Sequence, residues 1–331
     1  MAHTVVMVSL KLFCSIPLFR TILNRFLQVK TNSKEVFGIS FSNPVGLAAG
    51  FDKNAKYLRE LQALGFGFIE IGTVTPRPQS GNKKPRMFRL QDDQALINRM
   101  GFNNDGVDKV AKRLKKWRQK ESKKAIAQRF IIGGNIGKNK ATPNEEAWKD
   151  YEIAFRALHP YVDFFVINVS SPNTPGLREL QDKDALRIIL SRIILMNSEL
   201  KKPLPVLLKI APDLNDNQVE DVISLAIEIN LDGIVATNTT IERKELNTSA
   251  ASLNEIGNGG LSGRPLKNRS TEIVSYIQKQ AQNKIPVIAS GGIFTKEDAK
   301  EKINAGASLV EVWTGFIYEG PLIVRNICNN L

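Results

Sequence analysis

Eight short apolar runs, each of strand length and each followed by polar or glycine-bearing sequence, set the strongest limit on what this chain can fold into. They occupy residues 45–49, 66–71, 130–134, 162–169, 206–210, 233–236, 286–289 and 308–313. Helical periodicity fills most of the intervals and the end of the chain: 55–64, 106–117, 145–158, 184–200, 216–229, 269–280, 296–305 and 321–329. A strand that is apolar throughout must be covered on both faces, which is the situation of a parallel sheet wrapped by helices. Eight strand-then-helix units predict an α/β protein, a (β/α)8 TIM barrel, with a doubly wound open sheet as the competing architecture. The barrel is favoured because groups able to hold a ligand follow every run, and a barrel gathers such groups on one face.

Three segments fall outside the repeat. Residues 73–104 and 239–267 are long strand-to-helix connections. The first carries hairpin-like runs at 85–90 and 95–98 and reads as functional. The third is residues 1–32, read as an amphipathic helical segment ahead of a barrel domain at 33–331. Its apolar residues include Phe19, Ile22, Leu23, Phe26 and Leu27 on one helical face; its charges are Lys11, Arg20, Arg25 and Lys30, all basic. It is too interrupted for a spanning helix, which needs about 20 continuous apolar residues. Two short helices, apolar on one side and basic on the other, suit the surface of an anionic bilayer; a helix packed on its own domain is the plainer alternative.

Scarce residue types exclude whole classes of chemistry. Cys14 and Cys328 are the only cysteines and His3 and His159 the only histidines. A disulfide framework, a structural zinc site, a cysteine-held cluster and a histidine triad are therefore not expected, and no metal site is assigned. The formal net charge of +13 suggests an anionic partner, but much of it sits at 109–124, where nine basic residues face one glutamate. Val110, Leu114 and Trp117 recur there at helical spacing, so the stretch reads as a solvated basic helix, and no nucleic-acid partner is expected.

The strand ends supply the candidate site. The richest lies at 166–181, where a buried strand opens into Asn168, Ser170, Ser171, Asn173 and Thr174, with Pro172 and Pro175 stiffening the turn and Gly176 freeing it. Alone, this would be a polar turn. Seven other strand ends add Lys53, Thr73, Asn135, Lys209, Thr237, Asn238 and the Gly291–Gly292 and Gly315 turns. Glycine turns after the seventh and eighth strands are where barrels hold a phosphate, although a single pair of glycines is more often a tight turn. Lys209 stands inside an apolar strand, where a cation needs a negative partner: a reduced flavin is one candidate, and a Schiff base the other strong reading. Lys53 suits a substrate carboxylate or, after Asp52, a surface ion pair. The amides suit a flat heterocycle rich in donors and acceptors.

The runs 43–53 (NPVGLAAGFDK), 70–78 (EIGTVTPRP), 97–104 (INRMGFNN), 135–140 (NIGKNK), 167–176 (INVSSPNTPG), 209–213 (KIAPD), 236–240 (ATNTT) and 259–266 (GGLSGRPL) resemble, in order, the membrane-associated, quinone-reducing class of dihydroorotate dehydrogenases. The resemblance implies FMN as cofactor and oxidation of (S)-dihydroorotate to orotate, the fourth step of de novo UMP synthesis. Electrons would pass to a membrane quinone, ubiquinone or menaquinone, from a peripheral position on the cytoplasmic side of the inner membrane. It places the catalytic base on Ser171, with Thr174 and Phe102 along the path of the departing proton. Lys53, Asn98, Arg99, Met100, Gly101, Phe102, Asn168, Asn173, Asn238 and Thr239 match substrate-binding positions. Ala49, Gly50, Lys53, Thr73, Asn135, Asn168, Lys209, Thr237, Gly263, Gly292, Trp313 and Thr314 match positions around FMN. The cytosolic class uses a cysteine as base, and none lies between Cys14 and Cys328. Trp313 stands where the family usually has tyrosine, and Arg89 matches an arginine near the quinone path. The first 42 residues match the second of the family's two N-terminal helices better than the first. The alternatives are a soluble dihydroorotate oxidase using fumarate or NAD, and a basic, non-enzymatic protein that binds nucleic acid or a membrane.

Overall fold

The computed structural model describes residues 2–27, 29, 33–123, 125 and 129–329; Met1, Lys30, Asn32 and Lys124, on which parts of the terminal and basic-run readings fall, lie outside them. Helices α1 (Ala2–Ser15) and α2 (Pro17–Leu27) come first, followed by a hairpin of β1 (Lys34–Val36) and β2 (Ile39–Phe41). The repeat then begins with β3 (Val45–Leu47), α3 (Leu58–Ala63) and β4 (Phe68–Val74). After β4 the first excursion forms β5 (Met87–Leu90) and β6 (Ala95–Asn98) and leads into α4 (Val107–Glu121). Next come β7 (Ile131–Ile136), α5 (Ala147–Leu158), β8 (Phe164–Asn168), α6 (Lys183–Ser198), β9 (Val206–Ile210), α7 (Asp216–Glu228) and β10 (Gly233–Ala236). The second excursion contributes α8 (Ala250–Ile256) and β11 (Gly260–Gly263) before α9 (Lys267–Gln280), β12 (Val287–Ser290), α10 (Lys296–Asn304), β13 (Leu309–Val312), α11 (Thr314–Glu319) and α12 (Ile323–Cys328).

The eight expected strands close on themselves in the order β3-β4-β7-β8-β9-β10-β12-β13, all parallel, and β13 pairs back onto β3. Closure excludes the doubly wound sheet. Inside, strand residues two apart share a face. Phe68, Phe164, Val166, Leu207, Val235, Ile288 and Leu309 fill the lower barrel, and Phe41 of the hairpin joins them. The rings of Phe41 and Phe68 meet edge to face with centroids 5.3 Å apart. Small residues make room for these rings: a Cβ at Gly46 would lie 2.2 Å from the Phe68 ring, and one at Gly133 would lie 2.4 Å from Phe164. Each buried ring contributes roughly 1.5–3 kcal/mol. The same alternation carries upward, so Glu70 follows Phe68, Lys209 follows Leu207, and Glu311 follows Leu309 into the interior.

Two additions lie outside the barrel. β5, β6 and β11 form an antiparallel sheet, so the two excursions pair with each other through β6 and β11. The hairpin runs were legible in the sequence; β11, α8 and the lower β1–β2 hairpin were not. At the other addition, α1 and α2 meet at 109° and bury Met7, Cys14 and Leu27. Neither helix is long and apolar enough to cross a membrane. Two helices thus stand where the sequence matched only one well. Their outward side is apolar: Leu12 and Leu18 are each 67% exposed, and Phe13, Phe19, Ile22 and Phe26 are exposed beside them. Arg325 of α12 holds the end of α2, donating to the Phe26 carbonyl at 3.1 Å with its guanidinium over the Phe26 ring. The basic stretch is a solvated helix as read: Val110 and Leu114 of α4 are buried while Lys109, Lys112, Lys115 and Lys116 are exposed.

Candidate active site

The C-terminal ends of the barrel strands surround a cleft of about 1010 Å³ measured to its open mouth. Its floor is ionic. Lys209 Nζ lies 3.2 Å from Glu70 Oε2 and 3.4 Å from Glu311 Oε2, and all three residues are less than 5% exposed. Burial by itself would lower the Lys209 pKa, but the fields of Glu311 and Glu70 outweigh it and hold the group above its ordinary value. Part of the search for a partner to this buried cation is therefore answered within the barrel, by two carboxylates from strands on its far side.

One wall is a hydrogen-bonded chain across three strands. Asn168 Nδ2 donates to Thr73 Oγ1 at 2.8 Å, Thr73 Oγ1 donates to Asn135 Oδ1 at 2.6 Å, and Asn135 Nδ2 donates to Glu70 Oε2 at 2.9 Å. Thr73 and Asn168 line the cleft, whereas Asn135, fully buried, stands behind them and braces their orientation.

The loop after β8 continues from Asn168. Ser171 lines the cleft, and its Oγ accepts from the Asn173 N–H at 3.3 Å. Asn173 Nδ2 donates to Asn98 Oδ1 at 3.1 Å, joining this loop to β6. Asn238 Nδ2 donates to Ser170 Oγ at 3.0 Å, joining it to the loop after β10. Arg178, which the sequence did not single out, fastens both: it donates to the carbonyls of Ser170 (3.0 Å) and Thr239 (2.8 Å) and pairs with Asp213 at 2.7 Å. Asn82 Nδ2 holds the Asn173 carbonyl at 3.1 Å, and Asn144 Nδ2 holds that of Gly176 at 2.9 Å. The loop marked by Pro172, Pro175 and Gly176 is thus tied to the first excursion, to the segment after β7 and to the loops after β9 and β10.

Of the expected site residues, Ala49, Gly50, Lys53, Thr73, Asn98, Met100, Gly101, Phe102, Asn168, Ser171, Asn173, Lys209, Thr237, Asn238, Thr239, Gly263, Gly292, Trp313 and Thr314 all line the cleft. Thr174, three residues after Ser171, is not a lining residue; it is buried, its Oγ1 without a hydrogen-bond partner among the described residues. Phe102 sits at φ 49°, a left-handed conformation unusual for a bulky residue. Arg99 is not among the lining residues; its guanidinium donates to the carbonyls of Pro85 (3.1 Å) and Ile256 (2.6 Å) and stacks on Phe88. Lys53 is not in a surface ion pair with Asp52. Asp52 accepts from the Lys56 and Tyr57 N–H groups, while Lys53 Nζ donates to Asn103 Oδ1 at 2.7 Å. Burial, with a smaller push from Arg86, lowers the Lys53 pKa to about 7.

The far end is built for close backbone approach. Gly263, Gly291, Gly292 and Gly315 line it with Ser262 and Thr314, whose hydroxyls are hydrogen-bonded at 2.8 Å. Gly292 has φ 72°, and a Cβ there would lie 2.4 Å from Lys267 Cα, so only glycine keeps this turn against the start of α9. The cleft can therefore hold an elongated ligand. Its flat, polar part would meet Lys209 and the amides, and an anionic tail would meet the glycine turns. Two buried oxygens without partners at this cleft, Thr239 Oγ1 and Glu311 Oε1, fit that reading.

Glu70 and Glu311 are the functional groups that sequence reading missed. The signal was present: each is a lone acid inside an apolar strand, the same irregularity that marked Lys209.

Comparison with known proteins agrees with this geometry. The family model described as dihydroorotate dehydrogenase matches residues 31–331. A Christiangramia forsetii protein named dihydroorotate dehydrogenase (quinone) is 54% identical over 320 residues, covering 96% of this chain and 90% of its own length. A Coxiella burnetii protein of the same name is 47% identical over 330 residues, covering 98% and 91%. Among solved structures, DHODH from Eimeria tenella in complex with ferulenol superposes with a TM-score of 0.86 at 40% identity, covering 99% of this chain and 89% of that one.

Proposed function

We infer the activity from one premise: the chain belongs to the dihydroorotate dehydrogenase family. It oxidises (S)-dihydroorotate to orotate, the fourth step of de novo UMP synthesis, and passes the electrons to a quinone, as the names of relatives about half identical over nearly the whole chain indicate. The observation that carries this reading is the cleft itself, which Ser171, Lys209, Lys53 and the glycine turns line together. The family is flavin-dependent, and FMN is the flavin that a phosphate-sized glycine turn at one end of the cleft suits. When bound, it supplies a two-electron acceptor for the hydride leaving C6 of the substrate.

The residues of the chain do the rest. Lys53, its charge otherwise met only by the Asn103 amide, binds the substrate carboxylate. Asn98, Asn173, Asn238 and Thr239 present donors and acceptors to the pyrimidine ring, and their mutual hydrogen bonds fix their orientation. Asn168 and Thr73 contact substrate and flavin from the braced wall, and Lys209 meets the flavin's pyrimidine edge. Ser171 takes the C5 proton. Thr174, whose buried hydroxyl lacks a partner, and Phe102 border the route by which that proton leaves.

The exposed apolar faces of α1 and α2 support peripheral attachment of residues 1–32 to the cytoplasmic side of the inner membrane, where ubiquinone or menaquinone is reached. Arg89, stacked on Tyr318, and Trp313, edge-on to Phe51, lie between that face and the cleft on this reading.

Purified protein should be yellow, lose its flavin absorbance on anaerobic addition of dihydroorotate, and regain it with a short-chain quinone. A colourless protein overturns the reading, and recovery with fumarate or NAD but not with quinones overturns the acceptor. Removing α1 and α2 should abolish vesicle binding and slow quinone recovery while leaving bleaching by dihydroorotate intact; equal losses would make the segment structural only.

A second expectation concerns pH. With the Lys53 pKa lowered to about 7, the free site loses its cation as pH rises through neutrality. Orotate affinity, read from the flavin spectrum, should therefore weaken above about pH 7 by up to about tenfold per pH unit. Lys53→Met should bind weakly with a flat profile. A flat profile in the unaltered protein would remove Lys53 as the carboxylate partner.

A further inference from the structure

Glu311 has no task in the chemistry above, yet it lines the cleft floor at 1% exposure. Its Oε2 reaches Lys209 Nζ at 3.4 Å, and its Oε1, like Glu70 Oε1, is buried without a partner among the described residues. Glu70 is the better-supported carboxylate, because Lys209 (3.2 Å) and Asn135 (2.9 Å) both donate to its Oε2. Two carboxylates against one ammonium, all three less than 5% exposed, leave one negative charge uncompensated, and a proton is the cheapest compensation. The hydrogen bonds place that proton on Glu311.

We propose that Glu311 is a protonated carboxylic acid that keeps the floor of the cleft electrically neutral, a positioning residue that acts on the bound flavin through Lys209. With its proton, the floor is one ammonium, one carboxylate and one neutral acid. Without it, the floor carries a net negative charge beneath the ligand. Burial first, and then the Glu70 charge, push the Glu311 pKa well above the usual carboxylate range, against the opposing effect of Lys209. The titratable groups facing it are Glu70 from β4 and Lys209 from β9; its register neighbours on β12 and β3 are Ser290 and Gly46, which carry no charge. Neutralising a carboxyl by burial is an established way to keep an acid un-ionised at neutral pH. The effect on the flavin rests on the cofactor reading above; the protonation itself does not.

Two measurements on the full-length protein test this. Infrared spectroscopy should show the carbonyl band of a buried protonated carboxyl, lost in Glu311→Gln. The same band should also be lost in Glu70→Gln, where Glu311 becomes the sole counter-ion of Lys209. That second variant keeps the test open if the first does not fold. The midpoint potential of the flavin should be the same in E311Q and the unaltered protein at neutral pH. The two should then separate as pH rises into the alkaline range, with E311Q higher by up to about 30 mV per pH unit, the two-electron equivalent of a tenfold change in proton activity. A missing band, or a band that survives in E311Q, overturns the proposal. So does a potential raised in E311Q already at low pH, which would mean Glu311 is ionised, or curves that never separate. A colourless protein would instead count against the flavin reading, and the infrared result would still decide the protonation.

Discussion

Replacing Ser171 with alanine should leave the protein folded and yellow but slow the bleaching of its flavin by dihydroorotate at neutral pH by about 10²–10⁴-fold, the usual contribution of a positioned proton acceptor. Retention of the flavin follows from where Ser171 stands. It is in the loop after β8, and its hydroxyl accepts from the Asn173 N–H, so truncation removes neither a wall of the cleft nor a brace. Loss of rate follows from what surrounds it. Among the described residues, no histidine or carboxylate is hydrogen-bonded to Ser171 Oγ, so nothing nearby replaces it as the first proton acceptor. A hydroxyl is a weak base, and it must hand its proton on as it takes one. Thr174, three residues along and buried with an unpartnered hydroxyl, is the nearest candidate in sequence for that second step. Thr174→Ala should therefore slow bleaching less than Ser171→Ala. Stopped-flow absorbance of the anaerobic protein reads both. Unimpaired reduction in the Ser171 variant would remove it as the base.

The sequence was informative where a single physical pattern determines the outcome. Apolar runs with strand length and helical intervals specify a barrel because both faces of each strand must be covered, and all eight runs became barrel strands. Residues at strand ends converge because the fold brings strand ends together, so most of the cleft lining was legible without coordinates. Legibility failed where position depends on side-chain direction. Arg99 sits in the stretch 97–104 but points to the Pro85 and Ile256 carbonyls, and no spacing rule reveals that. Asn135 stands behind Thr73 and Asn168, which present the wall to the cleft. Arg178 joins two loops that are distant in sequence. β11 was hidden because its partner β6 lies 162 residues away at the Gly260–Asn98 pair, and its four residues, GLSG, carry little strand character.

The buried ions show a different kind of failure. Lys209 was recognised as an anomaly in an apolar strand, and its partner was sought mainly in a ligand. Glu70 and Glu311 are the same anomaly with opposite sign, on strands that closure places across the barrel. Three charged residues in three interior strands could have been read as one constellation from the sequence alone. Their combination, one cation and two acids, already predicts that a proton is needed to balance them.

That constellation yields the second large effect. Lys209→Met should destabilise the protein by about 3–5 kcal/mol, since removing one member of a buried ionic group leaves the remaining charge without compensation. The apparent melting temperature should fall by on the order of 10 °C. The loss should depend on pH with a definite sign. Without the ammonium, both acids must be buried as neutral groups, so the variant's folded form binds more protons than its unfolded form once pH exceeds the ordinary carboxylate range. Its stability then decreases as pH rises. The variant should therefore be nearly tolerated at about pH 5 and severely impaired at about pH 8. Adding Glu70→Gln to Lys209→Met should recover much of the stability, because the better hydrogen-bonded carboxylate is then neutral at any pH, and the amide can still accept from Asn135. Thermal unfolding across pH measures all three proteins. If Lys209→Met lost the same stability at both pH values, the cost would be a packing defect. Lys209 would then not be the counter-ion of the floor, and the case for a compensating proton on Glu311 would fall with it.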